Sequence, residues 1–376
     1  MAKRTAVAGL AGLVAAALLV AACSESVGPR YPELVVVGGQ QNGTLNESGT
    51  TLIKGFNPTN PHHGDAIVVT FFWIGSATIS SVTDVLTLPG YPVVGNTYNL
   101  VDYVTAGGIS MATYVATNVQ GFPDAYSAPI QDSILAVRAT LSAPVVDGGI
   151  VMKSYSGVFP IYAQALGGHG QASGSGSTYP TVADPGAVTV GAGSLAYGVS
   201  MSSALVGADK PVGWTNVSTM SDSWMVVDGE ELVPATTGPV HPTWNWYFNS
   251  PSTWLGSVLT LNEAVTKLAF TVQPSTSLPC PVTIQPPVEV TAEDDQGSTV
   301  STYNGTVTIA IAHNAGALTA GTLSGTLTVP AVNGVARFSN LCIDQPNLPG
   351  NGYTLQAAVP VLNLRVVSSP FNIGAF

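Results

Sequence analysis

The chain has 376 residues, with 10 Lys plus Arg against 21 Asp plus Glu, a formal charge of −11, and charged residues making only 8% of it. So few cations exclude a protein that wraps a phosphate backbone, because each neutralised phosphate needs a Lys or Arg, and no nucleic-acid partner is expected. Hydrophobic residues at 45% exclude a disordered chain, and the length allows two or three domains.

The first segment reads as an export signal. Lys3 and Arg4 form a positive start, and Ala6 to Ala22 is an unbroken run of small and apolar residues. Val20-Ala21-Ala22-Cys23 then precedes the polar Ser24-Glu25-Ser26. These are the marks of a secretory signal, and the run is shorter than the roughly 20 residues of a spanning helix. Cys23, directly after the small residues, resembles the cysteine of a bacterial lipobox. That resemblance implies a helical signal peptide over 1–22, cleavage before Cys23, and acylation of its thiol and new amine. Ser24, in place of Asp, implies sorting to the outer membrane. Several acyl chains on one residue anchor stably where one alone is marginal. The polar stretch 23–32, with Gly28 and Pro29, reads as a flexible tether. Losing Lys3 and Arg4 leaves a more acidic body, which an anionic membrane surface repels. The expected place is a bacterial envelope, at the outer membrane or cell surface, with the membrane as partner through the lipid.

From 31 to 265 short β-branched and aromatic runs recur between Gly, Pro, Asn and Ser clusters, the pattern of many short strands. Such runs are Ala66–Trp73, Thr78–Thr83, Ile134–Leu141, Gly149–Tyr155, Ser194–Ser200 and Trp254–Asn262. Pro61-His62-His63-Gly64-Asp65 offers metal-ligating side chains. Adjacent strand residues point to opposite faces, however, and the Pro and Gly flanks indicate an exposed turn. Gly167–Ser177 is a Gly/Ser/Gln/His stretch without a nucleophile elbow or a phosphate loop, expected as a loop or polar strand edge. Asp222, Asp228, Glu230 and Glu231 are the carboxylates from which an acid pair for glycoside cleavage would come, but Asp228-Gly229-Glu230-Glu231 reads as a solvated hairpin tip.

Trp244, Trp246, Tyr247, Phe248 and Trp254 hold three of the chain's 6 Trp. On a strand Trp244, Trp246 and Phe248 share one face, expected to be core, and Asn245 and Tyr247 the other. Aromatic faces anchor interfaces and stack on sugar rings, so Asn245, Tyr247 and the loop Pro239–Thr243 are the candidate ligand-binding residues. Several segments resemble a β-sandwich module of secreted bacterial and phage-borne proteins. They are Ala66-Ile67-Val68-Val69, Ile79 to Asp84, Gly95-Asn96-Thr97-Tyr98-Asn99-Leu100, Tyr155-Ser156-Gly157-Val158 and Gly193 to Gly198. The insert Val85–Val94 departs from that pattern. The resemblance implies one larger, jelly-roll-like sandwich over 31–265 and no particular activity.

Near Val265-Thr266-Lys267 the pattern changes to clean alternation. Val288, Val290 and Ala292 oppose Glu289, Thr291 and Glu293; Val307, Ile309 and Ile311 oppose their neighbours; Tyr353, Leu355 and Ala357 do the same. One apolar face at period two is what a two-sheet sandwich needs. Asp295-Gln296-Gly297, Asn304-Gly305, Asn333-Gly334 and Asn351-Gly352 supply turns. Cys280 and Cys342, an even pair in an exported chain, read as a disulfide, which would contribute roughly 4 kcal/mol by the chain-entropy argument. Glu293, Asp294 and Asp295 present three carboxylates without the spacing of a calcium loop, and read as an exposed turn. Leu268 to Pro274, Val288 to Val300, Gly321 to Gly325, Asn333 to Leu341, Gly352 to Leu355 and Ser369 to Ile373 resemble a bacterial Ig-like repeat. The resemblance covers about 267–376 and implies an Ig-like sandwich over 266–376 that serves as spacer or adhesive module; the two cysteines depart from its common pattern.

The expected whole is an all-β, lipid-anchored envelope protein of two sandwiches. Its expected role is non-enzymatic: adhesion, recognition or display, with a glycan or protein ligand and no metal or cofactor. A hydrolytic, carbohydrate-active lipoprotein and a structural envelope component are the alternatives. The terminal Phe376 suits an outer-membrane barrel, but the long regular strands of one are missing.

Overall fold

The protein is described from a computed structural model, over residues 42–374 apart from 45–47, 57–58, 88–91, 123–133, 223, 317–319 and 345–349. The expected signal, Cys23 and the tether lie outside the described residues. The architecture is all-β, built from antiparallel sheets with no closed barrel.

The first strands are β1 (Asn42–Thr44), β2 (Gly49–Gly55), β3 (Ala66–Ile74), β4 (Ile79–Leu86), β5 (Asn99–Ala106), β6 (Ile109–Ala116), β7 (Leu135–Val145) and β8 (Gly148–Tyr155). They form a five-stranded sheet, β1-β8-β3-β6-β5, facing a three-stranded sheet, β2-β7-β4. Ile67, Val69, Phe71 and Trp73 of β3 meet Leu52, Val137 and Ala139 between the two sheets. Gly107 and Gly108, both at positive φ, close the two-residue β5–β6 hairpin, which β-branched or bulky residues would not permit. Of the segment Val85–Val94 that departs from the resemblance, Val85 and Leu86 complete β4 and Val85 bridges Val93; beside it the buried Asp84 carboxylate accepts from the Gly95 and Asn96 amides and from Tyr98 Oη.

The next strands follow a one-turn helix, α1 (Tyr162–Ala165). They are β9 (Leu166–Gly176), β10 (Thr181–Ala183), β11 (Val188–Val190), β12 (Leu195–Ser202), β13 (Ala208–Asp209), β14 (Thr215–Ser221), β15 (Val226–Leu232), β16 (Gly238–Val240), β17 (Trp244–Trp246) and β18 (Ser252–Leu261). Again a five-stranded sheet, β9-β18-β12-β15-β14, faces a three-stranded one, β10-β17-β13; β11 and β16 pair separately. With that ribbon set aside, the second group repeats the first strand for strand. β9, β10, β12, β13, β14, β15, β17 and β18 hold the places of β1 to β8 in the same two sheet orders. Where the sequence suggests one larger sandwich, the strands therefore pair as two sandwiches of one topology, each jelly-roll-like in alternating between facing sheets.

The two five-stranded sheets stack back to back. β1 lies against β14, and β5 against β9 and β18; Thr70 of β3 hydrogen-bonds Tyr197 of β12 (3.2 Å). In terms of equivalent strands, the first meets the fifth, the fifth meets the first, and the third meets itself. This is the self-complementary pairing of a two-fold dimer, here within one chain. Burial on both faces explains why β3, β8 and β12 lack the apolar-polar alternation of a half-exposed strand. Val68, Phe72, Met111, Val199, Met201 and Leu255 fill the seam, each contributing about 1.5–3 kcal/mol by leaving water. Polar pairs cross it too. Lys153 Nζ donates to Glu231 Oε1 (2.7 Å) and Tyr155 Oη to Glu231 Oε2 (2.8 Å), all three nearly inaccessible.

The last strands are β19 (Lys267–Val272), β20 (Val288–Glu293), β21 (Thr306–His313), β22 (Thr322–Ser324), β23 (Thr328–Pro330), β24 (Val335–Phe338), β25 (Cys342–Asp344), β26 (Gly350–Val359), β27 (Leu364–Val367) and β28 (Phe371–Ile373). A three-stranded sheet β19-β20-β24 faces β23-β21-β26-β27, with β28 added to β26 and the ribbon β22-β25 beside them. The alternation holds: Val288, Val290, Ala292, Val307, Ile309, Tyr353, Leu355 and Ala357 are buried, while Ile311 is half-buried. Asn333-Gly334 turns at positive φ. Asn351-Gly352, expected to be a turn, is instead an irregularity inside β26, where the pairing with β28 shifts register. Cys280 and Cys342 are bridged, with Cα atoms 5.2 Å apart.

Candidate functional site

β17 is the middle strand of the second sandwich's outer sheet, and its alternation sets the site. Trp244 and Trp246 turn inward and are fully buried with Phe248. Their indole N–H groups are satisfied, Trp244 Nε1 by Asp228 Oδ2 (2.8 Å) and Trp246 Nε1 by Ser200 Oγ (3.1 Å). Asn245 is thereby turned outward, opposite Val182 of β10 and Asp209 of β13. Tyr247 follows, 44% exposed. The core and outward faces are those the sequence implies.

The ring of Tyr247 lies parallel to that of Tyr179, with centroids 4.4 Å apart and planes within 6°. Both phenols donate to one carboxylate, Tyr179 Oη to Asp209 Oδ2 (2.7 Å) and Tyr247 Oη to Asp209 Oδ1. Two donors favour the charged carboxylate, so Asp209 is held below its ordinary pKa, chiefly by Tyr247 and then by Tyr179. The same bonds keep the phenols protonated: the Asp209 contact pushes Tyr247 up to about 12 and raises Tyr179. The result is a rigid, exposed aromatic pair around a carboxylate, flanked by the exposed Val182 and by the amide-bearing Asn245. Leu205 precedes Gly207, whose carbonyl accepts from the Tyr247 amide, and is itself 54% exposed. Sequence reasoning missed Tyr179 and Asp209 because only the register of β10 and β13 on β17 brings them to Tyr247. The loop Pro239–Thr243 is not part of this face: it precedes β17, includes part of β16, and pairs His241 Nε2 with Asp184 Oδ1 (2.6 Å).

The other constellations have structural roles. His62-His63-Gly64-Asp65 is an exposed turn closed by Asp65, whose Oδ2 accepts from the His62 amide (2.9 Å). Gly167–Ser177 falls mostly on β9, an edge strand. There His169 Nδ1 meets Asp102 Oδ1 (2.8 Å) while Ser257 Oγ donates to Asp102 Oδ2 (2.7 Å). The carboxylate sits between serine and histidine, so the histidine cannot take the hydroxyl proton as a triad requires. Asp228-Gly229-Glu230-Glu231 is no hairpin tip. It is the middle of β15, buried on both faces, with Glu231 in the seam and Asp228 and Glu230 inside the second sandwich. Lys210 Nζ lies 3.0 Å from both Asp228 Oδ1 and Glu230 Oε1, and Asn216 Nδ2 donates to Glu230 (2.9 Å). Burial, set against these donors and added to by Asp228, leaves Glu230 above its ordinary pKa. Asp222 alone occupies the β14–β15 turn, capping the Trp224 and Met225 amides.

Glu293 ends β20, and the turn after it is held by Asp294 Oδ1, which accepts from the Ser298 amide (2.8 Å). Among the described residues no group of three or more His, Cys, Asp or Glu side chains is arranged to hold a metal ion. No family model, curated protein or solved structure matches this chain.

Proposed function

We propose that this is an exported, lipid-anchored recognition protein of a bacterial envelope, acylated at Cys23, which binds its ligand without chemistry through the outer sheet of the second sandwich. The observation that carries the reading is the aromatic pair. Every exposed aromatic side chain among the described residues (Tyr179, Trp224 and Tyr247) belongs to the second sandwich. Large apolar groups on a soluble surface mark contact sites when they are rigid and flanked by polar partners. Parallel phenol rings offer a flat apolar face, Asp209 offers acceptor lone pairs, and Asn245 an amide. That combination suits a glycan, whose C–H faces stack and whose hydroxyls donate. Net charge argues against an anionic partner.

The third sandwich, with sheets of three and four strands and a disulfide, serves in this reading as an Ig-like spacer. The hydrolase alternative gains nothing from Asp228 and Glu230, which are spent on Lys210, Asn216 and Trp244 inside a core. The test pairs two measurements on cells. Mass spectrometry should find acyl chains on Cys23, and an impermeant protease should cleave the protein on intact cells. An unacylated Cys23, or full protection from the protease, would overturn the placement.

A further inference from the structure

A second, separate site lies at the junction of the second and third sandwiches. A cleft of about 370 Å³ opens where α1 and the end of β18 meet the turn before β21, lined by Phe159, Gln164, Asn262, Thr302, Tyr303 and Asn304. Phe159 and Tyr303 stack on each other across the junction, centroids 6.0 Å apart and planes 19° from parallel; both are almost fully buried and form only the floor of the cleft. The rim is neutral and polar. Asn262 Nδ2 donates to the Gln164 carbonyl (2.8 Å) and Asn304 Nδ2 to the Thr302 carbonyl (3.1 Å), which fixes both amides. Among the described residues the Gln164 side-chain amide and the Thr302 hydroxyl make no hydrogen bond. Among the described residues no Asp, Glu, Lys, Arg or His lines the cleft.

We infer that this cleft binds a neutral sugar unit. Its volume falls at the small end of ordinary ligand sites, which favour such junctions. A charged ligand would lose its hydration with no counter-ion to replace it. A hydrocarbon would leave the Gln164 amide and Thr302 hydroxyl desolvated and unpaired. A hydroxyl-rich ring satisfies the amide and the hydroxyl, and its one apolar face suits the small apolar surface that Ala163 and Leu166 leave accessible.

The experiment titrates the intact chain, in a sugar-free detergent, with glucose, N-acetylglucosamine and maltose, and with glucuronate and glucosamine as charged controls. Saturation-transfer NMR reads binding. At least one neutral sugar should bind saturably and better than either charged control. Gln164→Leu, which removes the unpaired amide, should weaken it at least tenfold. Ala163→Trp, which fills the exposed lip, should abolish it, with melting midpoints unchanged in both. Tyr247→Ala should leave this binding intact, which separates the cleft from the tyrosine face. No saturable binding of any neutral sugar would overturn the inference. So would binding that survives both cleft substitutions or is lost with Tyr247.

Discussion

The first and second sandwiches have one strand order and two different interiors. Between β2-β7-β4 and β1-β8-β3-β6-β5 the filling is aliphatic and aromatic, with Phe71, Trp73, Ile67 and Val69 at its centre. Between β10-β17-β13 and its larger sheet the apolar cluster is smaller and rich in tryptophan, with Trp244, Trp246 and Trp254, and it encloses Asp228 and Glu230. The outer faces differ as well. On the first, β7 presents Arg138, Thr140 and Ser142 beside β4; on the second, β17 presents Asn245 and Tyr247 follows it. The comparison teaches that topology asks only for alternation and turns, whereas the outer face is free to be rewritten. The first presents polar side chains there and the second carries the aromatic pair.

The seam between the copies gives the largest expected effect. Lys153→Met strands Glu231 as a buried, uncompensated charge and should cost about 3–5 kcal/mol in urea unfolding. The double variant Lys153→Met/Glu231→Leu should recover most of it. If the double variant is no better than the single one, the pair is doing more than balancing charge. The third sandwich offers a contrast. Cys280→Ser/Cys342→Ser should cost roughly 4 kcal/mol or less, and hydrogen exchange should locate the loss in 267–373 while the two copies stay protected.

Acidity should act at the junction. Burial, then Asp294 and Asp295, raise Glu263 from 4.5 to about 7. A raised carboxylate favours folding in its protonated form. Its contribution is therefore complete below pH 4.5 and lost as pH rises through about 7. The melting midpoint should fall between pH 5 and 8, and Glu263→Gln should flatten that slope; an unchanged slope contradicts the assignment. The smallest effect belongs to the tyrosine face. Asp209→Asn should move the melting midpoint little, because the carboxylate lies at the surface, only half-buried, and solvent screens it. Ultraviolet titration should nevertheless show Tyr247 ionising earlier than its native value of about 12. A wild-type and variant that titrate alike would break the proposed link between the rings and Asp209.

Much of this was legible in the residues. The alternation of β20, β21 and β26 gave the third sandwich, and the Trp244-Asn245-Trp246 alternation gave both faces of β17. Two things were not. The continuous runs Ala66–Trp73 and Ser194–Ser200 mark strands covered on both sides, but a one-dimensional pattern does not say by what, so the stacked copies were read as one sandwich. Asp228-Gly229-Glu230-Glu231 has the composition of a turn, and only its partners (Lys210, Asn216, Trp244 and Lys153) allow it to be buried. Tyr179 and Asp209 lie far from Tyr247 in sequence and meet it only through sheet register.

The central claim is that the second copy recognises its ligand through the tyrosine pair. The most direct measurement is a glycan array probed with the intact chain, with Tyr247→Ala and with Gln164→Leu. The account predicts discrete glycan hits for the intact chain, lost in Tyr247→Ala and with at least some retained in Gln164→Leu. An array without hits, or a profile unchanged by Tyr247→Ala, would contradict it.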